Sequence, residues 1–557
     1  MTRELDLSDI QGNVIRAYGR YSFPFARYFF LNIADARSGR AFVDAIRKEV
    51  TTGSRWPEQA EKPDCTINIG FTFLGLLKLE IPSRTLSGMA DEFIDGMAAR
   101  AFILGDRDPS KTTQADQHWN DHWDPIWQRN RVGDGDDTDN VHMWISLNAQ
   151  SAEPATSGKP CDALDERTAW VRTLCAASED GVRMLSGIGR DGTQDYQSAS
   201  AVFDRHGDLQ IPTPKEHFGF ADGISDPVFE GQYPDTQMKT AVKGRGKRVG
   251  EAWEAIATGE FILGHPDESQ ELPPTAKPPE FMHNGTYMAF RKLHENVSSF
   301  NQVLAEEAKS YALEMGIDVD EAEAVIRAKM VGRWSDGVPL AVVPTYAEWI
   351  AFRKKRGFDD PDPLKALENQ VAYLRSAEAS DFRYADDMRG TKCPGGAHIR
   401  RVNTRDYLDP LNKVGDDPET GAQAQNDEAT SALNKRRRVL RRGLPYGRSD
   451  PQNNTDETEQ GVAMMLMGAS LFRQFEFVQQ QWIQYGLDFH QGNNTCPMLG
   501  SHEHHKRFTI PTDPKSGKPP FVMNKLKTFV ECRGGDYFFI PSMTALRMIA
   551  MGIVDPT

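Results

Sequence analysis

Apolar runs and helical repeats of apolar residues alternate through the first third of the chain. Residues 28–33, 65–73 and 141–147 are rich in apolar residues, which predicts strands. Between them, apolar residues recur at helical spacing over residues 38–50 and 162–177. Short strands that alternate with helices predict an α+β fold, in which helices cover one face of an antiparallel sheet.

The same rhythm partly repeats in the rest of the chain, with long insertions. Residues 300–330 are rich in Ala, Glu and Leu and predict two helices that are separated near residues 316–318. Residues 528–532 and 537–541 predict two further strands. The polar stretch 416–432 predicts an exposed loop.

Two similar α+β units, of which the second is enlarged, account for this repetition. The predicted N-terminal domain comprises residues 1–215, and the C-terminal domain comprises residues 216–557. A chain of 557 residues is long enough for several domains, so the division agrees with its length.

The charge and cysteine content exclude several classes of protein. The formal net charge of −15 argues against nucleic acid and anionic membranes as partners. No apolar run approaches the roughly 18 residues that a membrane span needs, and the N-terminal residues carry no secretory signal. The six cysteines form no C-x-x-C pair, which disfavours a zinc ribbon or an iron–sulfur cluster. We therefore expect a cytoplasmic protein with free thiols.

Candidate chemistry begins with an acid between glycines. Asp222 lies between Gly219 and Gly223, and a turn-forming Ser-Asp-Pro follows at residues 225–227. Glycines let a backbone approach a flat ligand or turn with positive φ, so Asp222 could face a cofactor. An ordinary turn is the alternative interpretation of this segment.

Two downstream segments complement this acid. His398 lies in the segment 393–405, and Arg441 lies in the segment 438–447. A neutral imidazole suits an iron ion and leaves the opposite face of that ion open. Together the three side chains supply an acid, an imidazole and a guanidinium, which is the minimal set for a haem peroxidase.

The order of these and other motifs resembles that of the dye-decolorizing peroxidase family over nearly the whole chain. The acid motif is similar to the G-x-x-D-G signature of that family. Further matching segments are residues 9–15, 68–76, 96–106, 331–340, 475–479 and 533–542.

The resemblance implies two ferredoxin-like domains with antiparallel sheets and haem b held mainly by the second. It implies that His398 is the axial iron ligand and that Arg405 pairs with a haem propionate, since guanidinium binds carboxylates in bidentate fashion. It further implies that Gly223, Ile224 and Phe539 contact the cofactor. Met464 and Leu466 are also candidates for the pocket wall, although apolar side chains in such runs usually belong to the core.

The implied activity is the reduction of hydrogen peroxide through an oxoferryl intermediate, followed by one-electron oxidation of phenols or dyes. Asp222 would shuttle the peroxide proton, and Arg441 would stabilise the developing negative charge. Since an aspartate stays ionised at lower pH than a histidine base, we expect an acidic optimum. A haem carrier without turnover is the alternative, and a homodimer and the natural reductant are left open.

Three positions depart from the family pattern. Gly395 stands where a Phe is frequent, and Thr404 stands where Pro usually precedes Arg405. Cys496 stands in a segment where relatives carry Asp, an acid expected to hydrogen-bond the imidazole that binds iron. Either another acid replaces it, or the redox potential of the iron is altered.

Two basic or metal-binding alternatives compete with this interpretation. His502, His504 and His505 could bind a metal ion, although a polar loop is the more ordinary explanation of three clustered imidazoles. Arg400 and Arg401 fit a solvated basic loop as well as they fit a role near the cofactor.

Overall fold

The computed structural model describes residues 5–19, 21–56, 62–107, 120–128, 139–189, 191–411, 429–448, 455–502 and 506–554. Within these residues, a nine-stranded antiparallel sheet runs through the molecule. Its strands form two groups, one from each half of the chain, and helices and loops pack around them.

The first group contains five strands. They are β1 Phe25–Ile33, β2 Cys65–Phe71, β3 Met143–Ala149, β4 Val182–Met184 and β5 Gln197–Ser200. The first four lie in the order β2-β3-β1-β4, and β5 also pairs with β1. All these pairs are antiparallel. This order is that of a ferredoxin-like unit.

Three small hairpins lie outside the main sheet. They pair β6 Phe203–His206 with β7 Leu209–Pro212, β8 Lys247–Val249 with β9 Ala252–Glu254, and β13 Phe508–Ile510 with β14 Phe521–Met523.

The second group repeats the order of the first. Its strands are β10 Thr286–Glu295, β11 Leu440–Gly447, β12 Gln460–Gly468 and β15 Val530–Ile540. They lie in the order β11-β12-β10-β15, so the second, third, first and fourth strands again follow one another. The groups join where β15 pairs with β2, at Phe539 and Phe71.

Fifteen α-helices surround the sheet in the described part of the chain. They are α1 Gly12–Ile15, α2 Ala36–Arg47, α3 Phe73–Lys78, α4 Ser83–Leu86, α5 Asp91–Asp95, α6 Met97–Leu104, α7 Ala163–Ala177, α8 Asp235–Ala241, α9 Pro279–Met282, α10 Val297–Met315, α11 Val319–Val331, α12 Tyr346–Arg356, α13 Pro363–Arg375, α14 His398–Val402 and α15 Met543–Met551. Two π-helical segments, Leu471–Glu476 and Val478–Ile483, follow β12.

Local signals explain where the longest helices end. Gly316, with φ of 70°, terminates α10 in the left-handed conformation that glycine adopts without strain. Asp318 then starts α11, because its side chain accepts a hydrogen bond from the backbone N–H of Asp320. The predicted pair of helices separated near residues 316–318 is confirmed.

The predicted elements of the first third are also confirmed, with ends shifted by a few residues. The prediction of two strands between residues 528 and 541 is wrong, because β15 is one continuous strand. Gly534 and Gly535 lie between the two predicted segments, and both belong to the strand, with φ of 133° and 155°. A Cβ on Gly534 would lie 2.0 Å from the Trp127 ring, so close packing requires glycine there.

The apolar core extends across both groups of strands. One cluster of buried side chains includes Ile69 and Ile145 from the first group and Phe290 and Phe538 from the second. None of the helices described here is long and apolar enough to cross a membrane. All six cysteines are free. Residues 416–428 of the predicted polar loop lie outside the described residues.

Candidate active site

A cavity of about 290 Å³ lies in the second half of the molecule. Its wall combines the face of β10–β12 and β15 with the π-helical segments, α11, α14 and the loop that carries Asp222. Most of the lining is apolar; its members include Val331, Val402, Val462, Met464, Leu466, Phe475, Ile483 and Met498. Such a wall suits a large, flat and mostly apolar ligand.

Asp222 reaches this cavity from a tight turn. Gly223 has φ of 78°, which a glycine adopts without strain, and the turn leaves the Asp222 side chain 27% exposed. The backbone N–H of Asp222 donates to the Pro214 carbonyl at 2.9 Å. The sequence-predicted acid therefore lies on the cavity wall, held by its backbone.

Arg441 meets Asp222 from strand β11. Its Nη1 atom donates to Asp222 Oδ1 at 3.2 Å, and its Nη2 atom donates to the Ile224 carbonyl. The backbone N–H of Arg441 also donates to Asp226 Oδ1 at 2.9 Å. Residues more than 200 positions apart thus form one acid–guanidinium pair that faces the cavity.

His398 is the first residue of α14 and also lines the cavity. The helix has only five residues, so its position depends on the contacts that Arg400 and Arg401 make with the surrounding chain. Arg400 is fully buried, pairs with Asp387 at 3.0 Å and lies between the rings of Tyr384 and Tyr407. The structure therefore contradicts a solvated loop for Arg400, which instead anchors the helix.

Arg401 is likewise buried and connects α14 to a distant loop. Its guanidinium donates to the carbonyls of Trp482, Tyr485 and Asn494 at 2.9–3.1 Å. These carbonyls precede Cys496, so Arg401 holds the Cys496 loop against the helix that carries His398.

Cys496 lies directly beside the His398 imidazole. Its Sγ atom is 3.4 Å from His398 Nδ1, and the cysteine is fully buried. No acidic side chain is recorded at this nitrogen among the described residues. Of the two alternatives raised by the missing Asp, the structure therefore places sulfur, and not a substitute acid, at the imidazole.

Three buried arginines gather at another part of the cavity. Arg333, Arg405 and Arg438 all line it and are each at most 6% exposed. Burial, together with the positive charge of Arg405, lowers the pKa of Arg438 to about 9 and that of Arg333 to about 10. Their hydrogen-bond partners among the described residues are carbonyl and hydroxyl oxygens rather than carboxylates.

Arg405 shows most clearly that this cluster suits an anion. Its Nη1 atom donates to two carbonyls, but within the described part of the chain its buried Nε and Nη2 atoms have no hydrogen-bond partner. Burial lowers the pKa of Arg405 as well, and the nearby Tyr384, Asp406 and Asp381 offset this only in part. Carboxylates bound here would satisfy donors that the protein itself leaves unsatisfied.

The chemistry of the cavity fits the haem group that the sequence resemblance implies. A porphyrin needs an apolar wall, its iron needs a ligand such as the imidazole of His398, and its two propionates need cations such as Arg405 and Arg438. All three features occur on one cavity.

The remaining predicted contacts divide between cavity and core. Ile224, Met464 and Leu466 line the cavity, and Gly223 shapes the Asp222 turn without being part of the lining. Phe539 does not line it. Its ring is fully buried in the core against Phe281 and Tyr287, because its position on β15 points it toward the other face.

Of the three histidines that could bind a metal ion, only His502 lies within the described residues, and its contacts there are structural. His502 lies near Thr495 Oγ1 and the Cys496 carbonyl, both at 3.2 Å, and burial lowers its pKa to about 4. His504 and His505 lie outside the described residues. No group of three or more potential metal-binding side chains occurs in the described ranges.

Sequence reasoning missed the roles of Arg333 and Arg438 beside Arg405. Both lie in segments that had been identified by resemblance, and Arg438 belongs to an arginine-rich run at 436–442. That run was a signal in the sequence. It was ambiguous, because a sequence does not distinguish solvated arginines from buried ones until their neighbours are known.

Known relatives cover nearly the whole chain, although no model of a known protein family matches it. The dye-decolorizing peroxidase msp1 and Peroxidase 2, both of Mycetinis scorodonius, are 24% and 26% identical to it. They align over 98% of this chain and over 88% and 87% of their own lengths. The multifunctional dye peroxidase DyP2 of Amycolatopsis sp. is 24% identical over 98% of this chain and 96% of its own.

Solved structures agree with this result. A dye-decolorizing peroxidase in complex with 2,6-dimethoxyphenol superposes with a TM-score of 0.66 at 22% identity. A fungal DyP-type peroxidase from Auricularia auricula-judae superposes with a TM-score of 0.68 at 20% identity. Both matches cover 98% of this chain and 100% of the other, which confirms the α+β fold. In both sequence and fold, the chain is therefore similar to dye-decolorizing peroxidases over nearly its full length.

Proposed function

We propose that this chain is a haem peroxidase that uses hydrogen peroxide to oxidise phenols or dyes in one-electron steps. The observation that carries the proposal is that the Asp222–Arg441 pair and His398 face the same cavity. A proton shuttle, a charge stabiliser and an iron ligand thereby share one enclosed space. The names of the relatives point to the same activity.

His398 would bind the iron of haem b, and Arg405 and Arg438 would bind its propionates. Bound haem supplies the redox chemistry, since it accepts oxidising equivalents from peroxide and returns them one electron at a time. If the other ring nitrogen bound iron, Nδ1 would keep its proton and would donate a hydrogen bond to Cys496 Sγ, 3.4 Å away.

Asp222 would move the proton that peroxide cleavage requires. Its carboxylate accepts a proton from one oxygen of hydrogen peroxide and delivers it to the oxygen that leaves as water. A guanidinium carries donors and no acceptor, so Arg441 would serve as a hydrogen-bond donor to the developing negative charge and not as a base. Its contact with Ile224 fixes the guanidinium before peroxide arrives.

The proposal is tested by the absorption spectrum of the haem-loaded protein before and after one equivalent of hydrogen peroxide. We expect the ferric Soret band to change on adding peroxide and to return when a phenol is added. Failure to bind haem would overturn the assignment of His398, and a band that peroxide only bleaches would argue for a haem carrier.

Asp222→Asn separates an enzyme from a carrier. We expect it to retain haem but to slow the peroxide reaction by about 10²- to 10⁴-fold, because the amide cannot accept the proton. Stopped-flow absorption measures this rate, and Asp204→Asn, on an exposed part of β6, is the control. Equal peroxide rates in both variants would contradict the assigned role.

A further inference from the structure

Strand β11 carries Arg441 at an open edge of the main sheet. The strand lies at the end of the strand order, and in the described part of the chain no strand pairs with its other edge. Such an edge leaves the backbone N–H and C=O groups of alternate residues without the partners that a strand would supply. Arg441 faces this edge, since its backbone N–H and its carbonyl both bond to side chains.

The two side chains that bond to the Arg441 backbone are Asp226 and Arg442. Asp226 Oδ1 accepts from the Arg441 N–H at 2.9 Å, and Arg442 Nη1 donates to the Arg441 carbonyl at 2.8 Å. The same Nη1 atom donates to Asp226 Oδ2 at 2.8 Å, so the acceptor and the donor are bonded to each other. The Asp226–Arg442 pair therefore takes the place of a neighbouring strand at this one residue.

Arg442 is itself held by the N-terminal end of the chain. Its side chain is 3% exposed, and its Nε and Nη2 atoms donate to the carbonyls of Asn13 and Val14 in α1, at 2.5 and 2.9 Å. A guanidinium is a rigid fork, so it cannot move without breaking several buried hydrogen bonds at once. The N-terminal motif at residues 9–15 thus contributes to the position of β11.

The turn of Asp222 has backbone anchors that do not involve this pair. The Asp222 N–H donates to the Pro214 carbonyl at 2.9 Å, and the Ala221 N–H donates to the Ser335 carbonyl at 2.8 Å. The Arg441 guanidinium is one-third exposed, and its bond to Asp222 Oδ1 is 3.2 Å long. Its direction into the cavity therefore depends on where β11 holds its backbone.

We propose that the Asp226–Arg442 pair positions the Arg441 guanidinium for peroxide cleavage, an inference that rests on the proposed peroxidase function. Neither side chain of the pair lines the cavity, whereas Arg441 does. The pair can therefore act on peroxide only through Arg441. A donor is effective when it is held in place before charge develops, and a displacement of about 1 Å can cost about 10²-fold in rate.

The hydrogen bonds are tested first, by hydrogen–deuterium exchange of the full-length protein with fragmentation that resolves single amides. We expect the Arg441 amide to exchange about tenfold faster in Asp226→Ala than in wild type, because its acceptor is gone. Asp318→Ala is the matched control, since that carboxylate also accepts a backbone N–H, at the start of α11. It should leave exchange at Arg441 unchanged. Equal exchange at Arg441 in wild type and Asp226→Ala overturns the proposal.

The effect on the reaction is tested second, by stopped-flow absorption of the haem-loaded protein. We expect Asp226→Ala to retain haem and to slow the peroxide reaction by about 10- to 100-fold. The return with a phenol should stay within about threefold of wild type, because that step does not use the guanidinium. A general structural defect would slow both steps, so equal slowing overturns the proposal.

A double-mutant cycle tests whether Asp226 acts through Arg441. In an Arg441→Ala background, Asp226→Ala should change the peroxide rate by less than about threefold, because the group that it positions is absent. If the two losses multiply instead, Asp226 acts by another route and the proposal is wrong.

If Asp226→Ala does not fold, Arg442→Lys tests the same pair. A single ammonium cannot reach the acceptors of three guanidinium nitrogens, so we expect the same selective loss of the peroxide step. An active wild type whose two variants both react normally refutes the positioning role and leaves the peroxidase assignment standing. A wild type that does not react with peroxide refutes both.

Discussion

The contact between Cys496 and His398 distinguishes this site from the motif pattern of the dye-decolorizing peroxidases that the sequence resembles. Sulfur is a weaker hydrogen-bond acceptor than a carboxylate, so it draws less on the imidazole Nδ1 proton. An imidazole with a weaker partner is a weaker electron donor to the metal that it binds. We therefore expect the bound iron to be reduced more easily than with an aspartate at residue 496.

Cys496→Asp tests this expectation. The ferric/ferrous midpoint potential of the haem-loaded variant should lie below that of wild type, because the carboxylate strengthens the hydrogen bond from His398. Spectroelectrochemistry measures the shift. Cys393→Ser, at a buried cysteine outside the cavity lining, is the control, and a Cys496→Asp potential at or above wild type would refute the argument.

Arg441→Ala tests the charge-stabilising role of the guanidinium. Loss of one preorganised donor to a developing charge should slow the peroxide reaction by about 10²- to 10³-fold. Single-turnover kinetics at saturating haem give the rate. Arg205→Ala, on an exposed hairpin strand, should leave it unchanged, and a normal rate in Arg441→Ala would show that Asp222 acts without this partner.

At the next level of organisation, a helix and a loop from separate parts of the sequence hold the iron-ligand side of the cavity together. Arg401 binds carbonyls of residues 482–494, and His502 lies against the Cys496 carbonyl. The position of Cys496 thus depends on buried polar contacts, which are costly to leave unmade.

The pH dependence of stability should report on His502. Its folded pKa of about 4 lies below the ordinary value of 6.5, because burial disfavours the charged ring. The neutral ring therefore contributes stability above about pH 6.5, and this contribution is lost as the pH falls toward 4. A shift of this size corresponds to about 3 kcal/mol.

In His502→Gln, the free energy of unfolding should change less between pH 7 and pH 4, by about 3 kcal/mol. Urea denaturation at both pH values measures the difference. His206→Gln, on the exposed strand β6, is the control. An unchanged pH dependence in His502→Gln would mean that its ring titrates in the folded protein as it does in the unfolded chain.

Across the whole molecule, the two groups of strands behave as parts of one sheet and one core. Buried ion pairs cross between them: Asp106 after α6 binds Arg291 on β10, and both side chains are 4% exposed. Lys292, the next residue on β10, binds Asp124 at 2.6 Å. These contacts couple the halves that the sequence predicted as separate domains.

Asp106→Asn should therefore destabilise the entire molecule. Removing one partner leaves the Arg291 guanidinium buried without its counter-charge, which costs about 3–5 kcal/mol. Chemical denaturation followed by both circular dichroism and fluorescence should show a single transition at lower denaturant. Glu80→Gln breaks an exposed pair with Arg40 and should cost less than about 1 kcal/mol. Separate transitions for the two halves would contradict the coupling.

Local patterns in the sequence determined the strands and helices, the α+β class and the segments that carry Asp222, His398 and Arg441. These features depend on hydrophobic periodicity, turn residues and short motifs, which act over a few neighbouring positions. The break between α10 and α11 is an example, because Gly316 and Asp318 specify it without help from the rest of the chain.

Only the tertiary structure decided which distant residues meet. Cys496 contacts His398 across 98 positions, and Arg441 meets Asp222 across 219 positions. It also decided that Arg400 is buried and that Phe539 faces the core rather than the cavity. A side chain's burial, charge state and partner depend on packing between elements, and no local pattern encodes that packing.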